Sequence, residues 1–374
     1  MQADRVASHS HPESLHILPQ SSCSPFLREI LLLAQPGGGN VTRRFWRRTM
    51  PAAAGFLLVS VFVAGCGAGP RGDARPFADR AGYRIGVLQI SSASVIDATV
   101  RAFRDGLSRA MAPKPVTFDV INAQGDQSLI ASAARDLAGS ADDALAVIGT
   151  PAVIALAHQE TSRPIFALAI GDPVGAGVAT SLERPGGNVT GSIDYVDPAR
   201  LLDQIMTVRP APTRLGTVYD PSNQNMVVWI DALRRAVAAH PGLELVEATI
   251  SGPADVASGA RSLVGRADAV LVGPDAAVLA GLPAVGSTVG AAGVPVYVSG
   301  GDSNVDGVLA SIGPDYPTLG VLAARAAARV LTGTPVSEVP FGRPTGINFA
   351  INKKTMNQLG LSFPQAILST ATVR

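Results

Sequence analysis

"ALAVIGTPAVIALA", residues 144–157, carries the reading on which the fold turns. Ala144–Ile148 is a short, unbroken apolar run that ends at a glycine, the pattern of a strand buried on both faces of a parallel sheet. Thr150 and Pro151 follow, and proline is tolerated in a helix only in its first turn, so Pro151 to His158 reads as a helix with Thr150 at the capping position. A strand passed through a tight glycine turn into a helix is one βα unit.

The same unit recurs on either side. "YRIGVLQI", "VTFDVIN", "PIFALAI", "RLGTVYD", "LELVEAT", "DAVLVG" and "PVYVS" join "ALAVIG" as strands. Between them Val95–Met111, Ser128–Leu137, Met226–Ala239, Ala254–Val264 and Ala276–Gly290 have helical composition, with Leu233, Ala236 and Val237 on one face and Arg234 and Arg235 on the other. So many strands overfill one doubly wound domain of about 150 residues, and two α/β lobes follow. The rhythm breaks at "SLERPGGNVTGSIDY" and restarts at "DPARLLDQI". A second crossing is expected near "ASIGPDYPTLG", because the helix Thr318–Leu331 has no strand in the second lobe to belong to. The expected organisation is residues 83–191 with 313–334 in lobe I, and residues 192–312 with 335–374 in lobe II. The strands end in polar or glycine-rich loops, which places those loops at the carboxyl edges of both sheets, where open α/β sheets bind ligands.

At 47% hydrophobic and 16% charged, the 374 residues supply a large core and fit no disordered class. A formal net charge of +1 leaves no basic excess for phosphates, so nucleic acid is not an expected partner. Pro51–Gly65 is apolar but shorter than the roughly 20 residues that span a bilayer, and Arg43, Arg44, Arg47 and Arg48 precede it. Basic, apolar and small residues in that order read as a secretory signal, and the arginine pair also admits a twin-arginine route. Val63-Ala64-Gly65-Cys66 resembles the lipobox of bacterial lipoproteins, which implies cleavage before Cys66 and lipidation of its thiol. Residues 41–65 are then the signal peptide and 66–82 a flexible tether. Residues 1–40, rich in Ser, His, Pro and Gly, are expected to be untranslated or disordered, with initiation near Val41. Cys23 falls in that stretch, so the mature chain has no internal disulfide.

From about Tyr83 to Leu361 the chain resembles the substrate-binding proteins of ABC importers whose characterised members bind tryptophan, phenylalanine or tyrosine. The stretches that carry the resemblance are "NAQGDQS" (122–128), "GTPAVIALA" (149–157), "DPVGAGVATSLERPGGNVTG" (172–191), "VYDPSNQN" (218–225), "LVEATI" (245–250), "LVGPDAAV" (271–278) and "DYPTLG" (315–320). The resemblance implies a type I periplasmic-binding-protein fold, with two doubly wound parallel-sheet lobes joined by a multi-strand hinge and closing on a small ligand. It also implies ABC permease and ATPase partners; the lipobox places the protein outside the cytoplasm, and no cofactor or metal is expected. The protein is expected to act as a monomer.

The candidate ligand residues lie in the loops at the strand ends. A helix start favours an anion, so the backbone at Thr150 and Ala152 is expected to hold a carboxylate and Asp172 an ammonium group, with Asp275 the alternative. Asp275 equally suits an N-cap, and Asp220-Pro221-Ser222-Asn223 is good turn chemistry. Family members often carry an aromatic or histidine-containing loop after the first strand, where this chain has Ser91 and Ser92, and the late loop reads "SGGDSNVDG". With Ser91, Ser92, Asn223, Asn225, Asp275 and Asp302 as the specificity set, an amino acid smaller or more polar than an aromatic one is expected. His158 and His240 have no acidic partner at a useful spacing, and no GxSxG, HExxH or CxxC occurs, so an enzyme is not expected. The alternatives are a surface-tethered enzyme using the cleft carboxylates, or a ligand sensor of the same fold.

Overall fold

The computed structural model describes residues 77–374. The lipidation site Cys66, the signal peptide 41–65 and residues 1–40 lie outside the described residues. Of the expected tether 66–82, the described part is held: Phe77–Asp79 forms a single 3₁₀ turn, Phe77 packs against the first core, and Tyr83 Oη donates to Phe77 O at 2.7 Å.

The first sheet contains β1 (Tyr83–Gln89), β2 (Val116–Asn122), β3 (Ala144–Ile148), β4 (Ile165–Ile170) and β5 (Val189–Ile193). They run parallel in the order β2-β1-β3-β4-β5. Helices α1 (Ser94–Met111), α2 (Gln127–Ala138) and α3 (Thr150–Gln159) supply the crossovers. After α4 (Pro198–Ile205) the chain builds the second sheet from β6 (Arg214–Tyr219), β7 (Glu244–Thr249), β8 (Ala269–Val272), β9 (Val296–Val298), β10 (Val308–Gly313), β11 (Asn348–Ile351) and β12 (Thr372–Val373), in the order β12-β11-β10-β9-β8-β6-β7. Only the β10–β11 pair is antiparallel.

Each sheet is covered on both sides. In lobe II one apolar core includes Trp229, Ile230 and Leu233 of α5 (Gln224–Ala238), and the other includes Val256 and Leu263 of α6 (Val256–Leu263). The helix expected at 276–290 is two, α7 (Ala276–Ala280) and α8 (Leu282–Val289). It breaks at Gly281, where a Cβ would lie 2.7 Å from Val256 and the next turn contains Pro283.

Helix α9 (Tyr316–Leu331) packs in the first lobe, close enough to α1 that a Cβ on Gly320 would lie 2.3 Å from Thr99 O. The remaining helices, α10 (Lys353–Gln358) and α11 (Gln365–Leu368), close the chain beside β11. The chain therefore passes between lobes after β5, after β10 and again between Phe341 and β11. The division of residues differs from the expected one at its edges. Ile193, Val339 and Phe341 belong to the first core, because β5 continues to Ile193 and its Ile193 N–H donates to Gly342 O at 3.0 Å.

One ionic cluster anchors the ends of the elements that lead to the site. Arg163 donates from Nε to Glu160 Oε2 at 2.6 Å, and its other nitrogens reach the carbonyls of Leu137, Ala138, Ser140 and Asp142. The guanidinium thereby satisfies the last carbonyls of α2 while holding the end of α3. Burial alone would raise the Glu160 pKa, but the N–H groups of Arg163 and Ser162 and their side chains outweigh it and hold the carboxyl at about 2. Its folded value lies below the unfolded one of 4.5, so this stability is present above pH 4.5 and is lost as pH falls toward 2. Arg163→Met takes the cation from Glu160, which keeps only the Ser162 donors and the backbone N–H of residue 163, and leaves several carbonyls without their donor, so it should cost about 3–5 kcal/mol in urea denaturation at pH 7. The deficit should shrink below pH 4, and a cost under about 0.5 kcal/mol, the range of ordinary surface changes, would contradict this role.

Candidate ligand-binding site

The carboxyl ends of β1, β3 and β4 face those of β6 and β8 across the seam between lobes, and a narrow cavity lies there. From the first lobe it is lined by Ile90, Ile96, Ile148, Gly149, Thr150, Pro151, Ala169, Asp194 and Tyr316; Asn223, Asn225, Pro274, Ala276 and Leu279 complete it from the second.

Gly149 makes the turn into α3 possible. Its φ is +100°, and a Cβ there would lie 2.7 Å from Ile90. Gly149, not Thr150, is the N-cap, and the Val153 N–H donating to Gly149 O at 3.0 Å closes the first turn. The N–H groups of Thr150 and Ala152 precede that bond, so they have no acceptor within the helix, and Pro151 has no N–H. The Thr150 hydroxyl instead accepts from Gly171 N at 3.3 Å, tying α3 to the end of β4. At that end β4 bulges between Leu168 and Ile170, and Ala169 takes a φ of +115°, a strained value for a residue with a side chain. The strain lies in the cavity wall.

Asp194 is the acid of the cavity. It follows β5 at the hinge, is 7% exposed, and its N–H donates to Ile170 O at 3.3 Å. Its Oδ2 accepts from the Tyr316 hydroxyl at 3.3 Å, while its buried Oδ1 has no protein partner. Burial pushes this carboxyl up to about 6 against the Tyr316 and backbone hydrogen bonds that lower it. Tyr316 is itself pushed well above its usual value by burial and by Asp194, so it stays a neutral donor.

The residues expected from the sequence divide. Thr150, Asn223 and Asn225 line the cavity. Asn223 caps α5, accepting from Asn225 N at 3.2 Å, and Asn225 Nδ2 donates to Pro274 O at 3.0 Å. Ala152 is fully buried and does not line the cavity. Ser91 is buried with its hydroxyl 3.4 Å from Ala276 O across the seam, and Ser92 accepts from Asn122 Nδ2 at 2.7 Å. Asp172 lines a separate groove with Tyr195, Arg200 and Arg343, its Oδ1 occupied by Gly175 N at 2.8 Å. Asp275, 1% exposed, is the N-cap of α7 and also accepts from Asp220 N at 2.9 Å. Asp302 lies in a third groove with Asp315 and Arg374, where the Ser94 hydroxyl donates to it at 3.3 Å. The walls of the cavity are therefore mainly aliphatic, against the polar set expected. Sequence reading passed over Asp194 and Tyr316, since "GSIDY" sits in a glycine-rich break and Tyr316 is 122 residues away.

The lobes are closed on each other. A Cβ on Gly125 would lie 2.7 Å from Pro253, and one on Gly171 would lie 1.7 Å from Asn225 Oδ1. Gly171→Ala should therefore hold the lobes apart: the ligand-saturated variant should have a larger radius of gyration than the parent in small-angle scattering, and adding Asn225→Ala should restore the compact form. Equal radii for Gly171→Ala and the parent would contradict the closing contact.

Similarity to known proteins agrees with this geometry. The chain is 32% identical to a tyrosine-binding protein of Clostridioides difficile over 246 residues, 66% of this chain and 71% of that protein. A Streptococcus ABC domain solved in complex with L-Trp shares 28% identity, covers 78% of this chain and 100% of its own, and superposes with a TM-score of 0.73. A ligand-free, open substrate-binding protein with adhesive properties from Clostridium difficile, also 28% identical and covering 78% of this chain and 99% of its own, gives 0.58. At equal identity and coverage, the lower score against the open form is what a closed arrangement of lobes produces. Residues 84–374 match the ABC transporter substrate binding protein family, and the chain belongs to it.

Proposed function

We propose that the protein is an extracytoplasmic lipoprotein that captures a free amino acid between its lobes for an ABC importer. The observation that carries the reading is the seam cavity, apolar along most of its walls and lined by Thr150 and Pro151 at the start of α3, whose first N–H groups have no acceptor within the helix. A helix start stabilises an anion by up to about 2 kcal/mol in partly buried geometry, which suits the ligand's carboxylate. Asn223 and Asn225 add polar contacts from the second lobe. Ile90, Ile96, Ile148 and Leu279 favour an apolar or aromatic side chain, and this replaces the smaller or more polar ligand expected from Ser91 and Ser92.

Cys66 is the proposed membrane anchor, with the permease and ATPase as partners and the binding protein acting as a monomer. Closure explains why such a protein works as a carrier: a ligand touched by both lobes favours the closed form over the open one, so the closed population rises with occupancy. Among the described residues no helix is long and apolar enough to cross a membrane, and none of the groupings of His, Cys, Asp and Glu could hold a metal ion.

Two measurements test this reading. In a thermal-shift screen of amino acids, sugars and polyamines, an amino acid with a large apolar side chain should raise Tm, by the equivalent of about 2.7 kcal/mol at 100 times its Kd. Stabilisation by sugars alone would contradict the ligand class. Metabolic labelling with a fatty-acid analogue should mark the parent and not Cys66→Ala, which should also leave the membrane fraction, and label retained by the variant would contradict the anchor.

A further inference from the structure

A carboxylate oxygen buried without a partner is costly to keep, and the cavity contains one. Asp194 is held at the hinge by its backbone bond to Ile170 and by Tyr316 on Oδ2, which leaves Oδ1 the only unpaired oxygen of an acid in that wall. Among the described residues no Lys or Arg lines this cavity, and Arg200 and Arg343 line a different groove. The other polar groups of the cavity, Thr150, Asn223 and Asn225, are uncharged.

We infer that Asp194, oriented by Tyr316, is the ammonium-binding residue of the site, so that the ligand must carry a cationic amine beside its carboxylate. The inference rests on the proposed capture of an amino acid and adds to it the residue that reads the amine. It moves that role from Asp172, whose Oδ1 is taken by Gly175 N outside the cavity, and from Asp275, whose carboxylate is taken by three backbone N–H groups. Asp194 sits on the first lobe with α3, so both charged ends of the ligand would be held by one lobe and the second lobe would close over its side chain. An acid without the amine then leaves Asp194 buried and uncompensated, and the site rejects it for that reason.

The pH profile gives a second readout. Burial raises the Asp194 carboxyl to about 6, so protonation below that pH removes the acceptor, while the α-amino and carboxyl groups of a free amino acid hold their charges there. Tyr316 bonds Asp194 directly, and the other polar side chains that line the cavity, Thr150, Asn223 and Asn225, do not titrate near pH 6. Asp275, beyond Pro274, is also raised by burial to about 6, and its contribution persists in an Asp194 variant.

The test uses calorimetry on the full chain with L-tyrosine, L-tryptophan, L-phenylalanine and L-leucine, and with the deaminated acid of each. At pH 7.5 the parent should bind at least one amino acid about 10- to 100-fold tighter than its deaminated acid, the span of a hydrogen bond to a charged group. Asp194→Asn should lose that factor for the amino acid and bind the deaminated acid no worse. Its ligand-free Tm at pH 7.5 should be equal to or above the parent's, since a buried charge is removed. Tyr316→Phe should weaken the amino acid alone, and the fall in parent affinity from pH 7.5 to pH 5 should flatten in Asp194→Asn. Unchanged amino-acid affinity in Asp194→Asn, or equal loss for both members of a pair, overturns the assignment and leaves amino-acid capture standing. A parent that binds none of the four amino acids overturns both.

Discussion

A parallel sheet buried on both faces leaves polar chemistry one place to go, the open ends of its strands, and in this protein two such sheets point those ends at each other. The remaining features follow from that constraint. Glycine ends β3 because the chain must turn beside Ile90 into α3, and glycine ends β4 because Asn225 of the opposite lobe fills the space a side chain would need. The crossings between lobes run from strand ends of one sheet to elements of the other, so the hinge lies beside the cavity and includes Asp194 in its wall.

Closure and charge are coupled through that residue. The folded pKa of Asp194, about 6, lies above the unfolded 3.8, so its ionised form costs stability that sets in as pH rises through this window. At neutral pH the closed, ligand-free lobes bury an uncompensated carboxylate, and a ligand amine removes that cost when it enters. The strained Ala169 beside it belongs to the same economy, in which local stability is given up where a ligand is held. The Glu160–Arg163 cluster, where every charge is answered, shows the opposite arrangement at the far end of the same elements.

Much of the fold was legible in the sequence, because a period of strand, glycine and capped helix is written locally. The strands β1, β2, β3, β4, β6, β7, β8 and β9 stand where their apolar runs are. Strand β5 was not legible: Thr190, Gly191 and Ser192 look like a turn after Pro185-Gly186-Gly187, and it is the ladder to β4, backed by Thr190 Oγ1 donating to Val339 O at 2.7 Å, that makes them a strand. Strand β10 was read as a crossing for a similar reason. At the site, Thr150, Asn223 and Asn225 were found because helix starts have a sequence signature. Asp172 and Asp275 share that signature, yet their oxygens go to nearby backbone, as short polar side chains in turns and caps commonly do. Asp194 has no local signal, since what marks it is a missing hydrogen bond and a tyrosine far away in the chain.

The central claim is that one lobe holds both charged ends of an amino acid, the carboxylate at the start of α3 and the amine at Asp194. The most direct measurement is a crystal structure of the protein with its best-bound amino acid. The account predicts a ligand carboxylate oxygen within hydrogen-bond distance of the Thr150 or Ala152 N–H, and the ligand nitrogen within that distance of Asp194 Oδ1. A ligand nitrogen placed against Asp172 or Asp275, or a ligand seated outside the seam cavity, would contradict it.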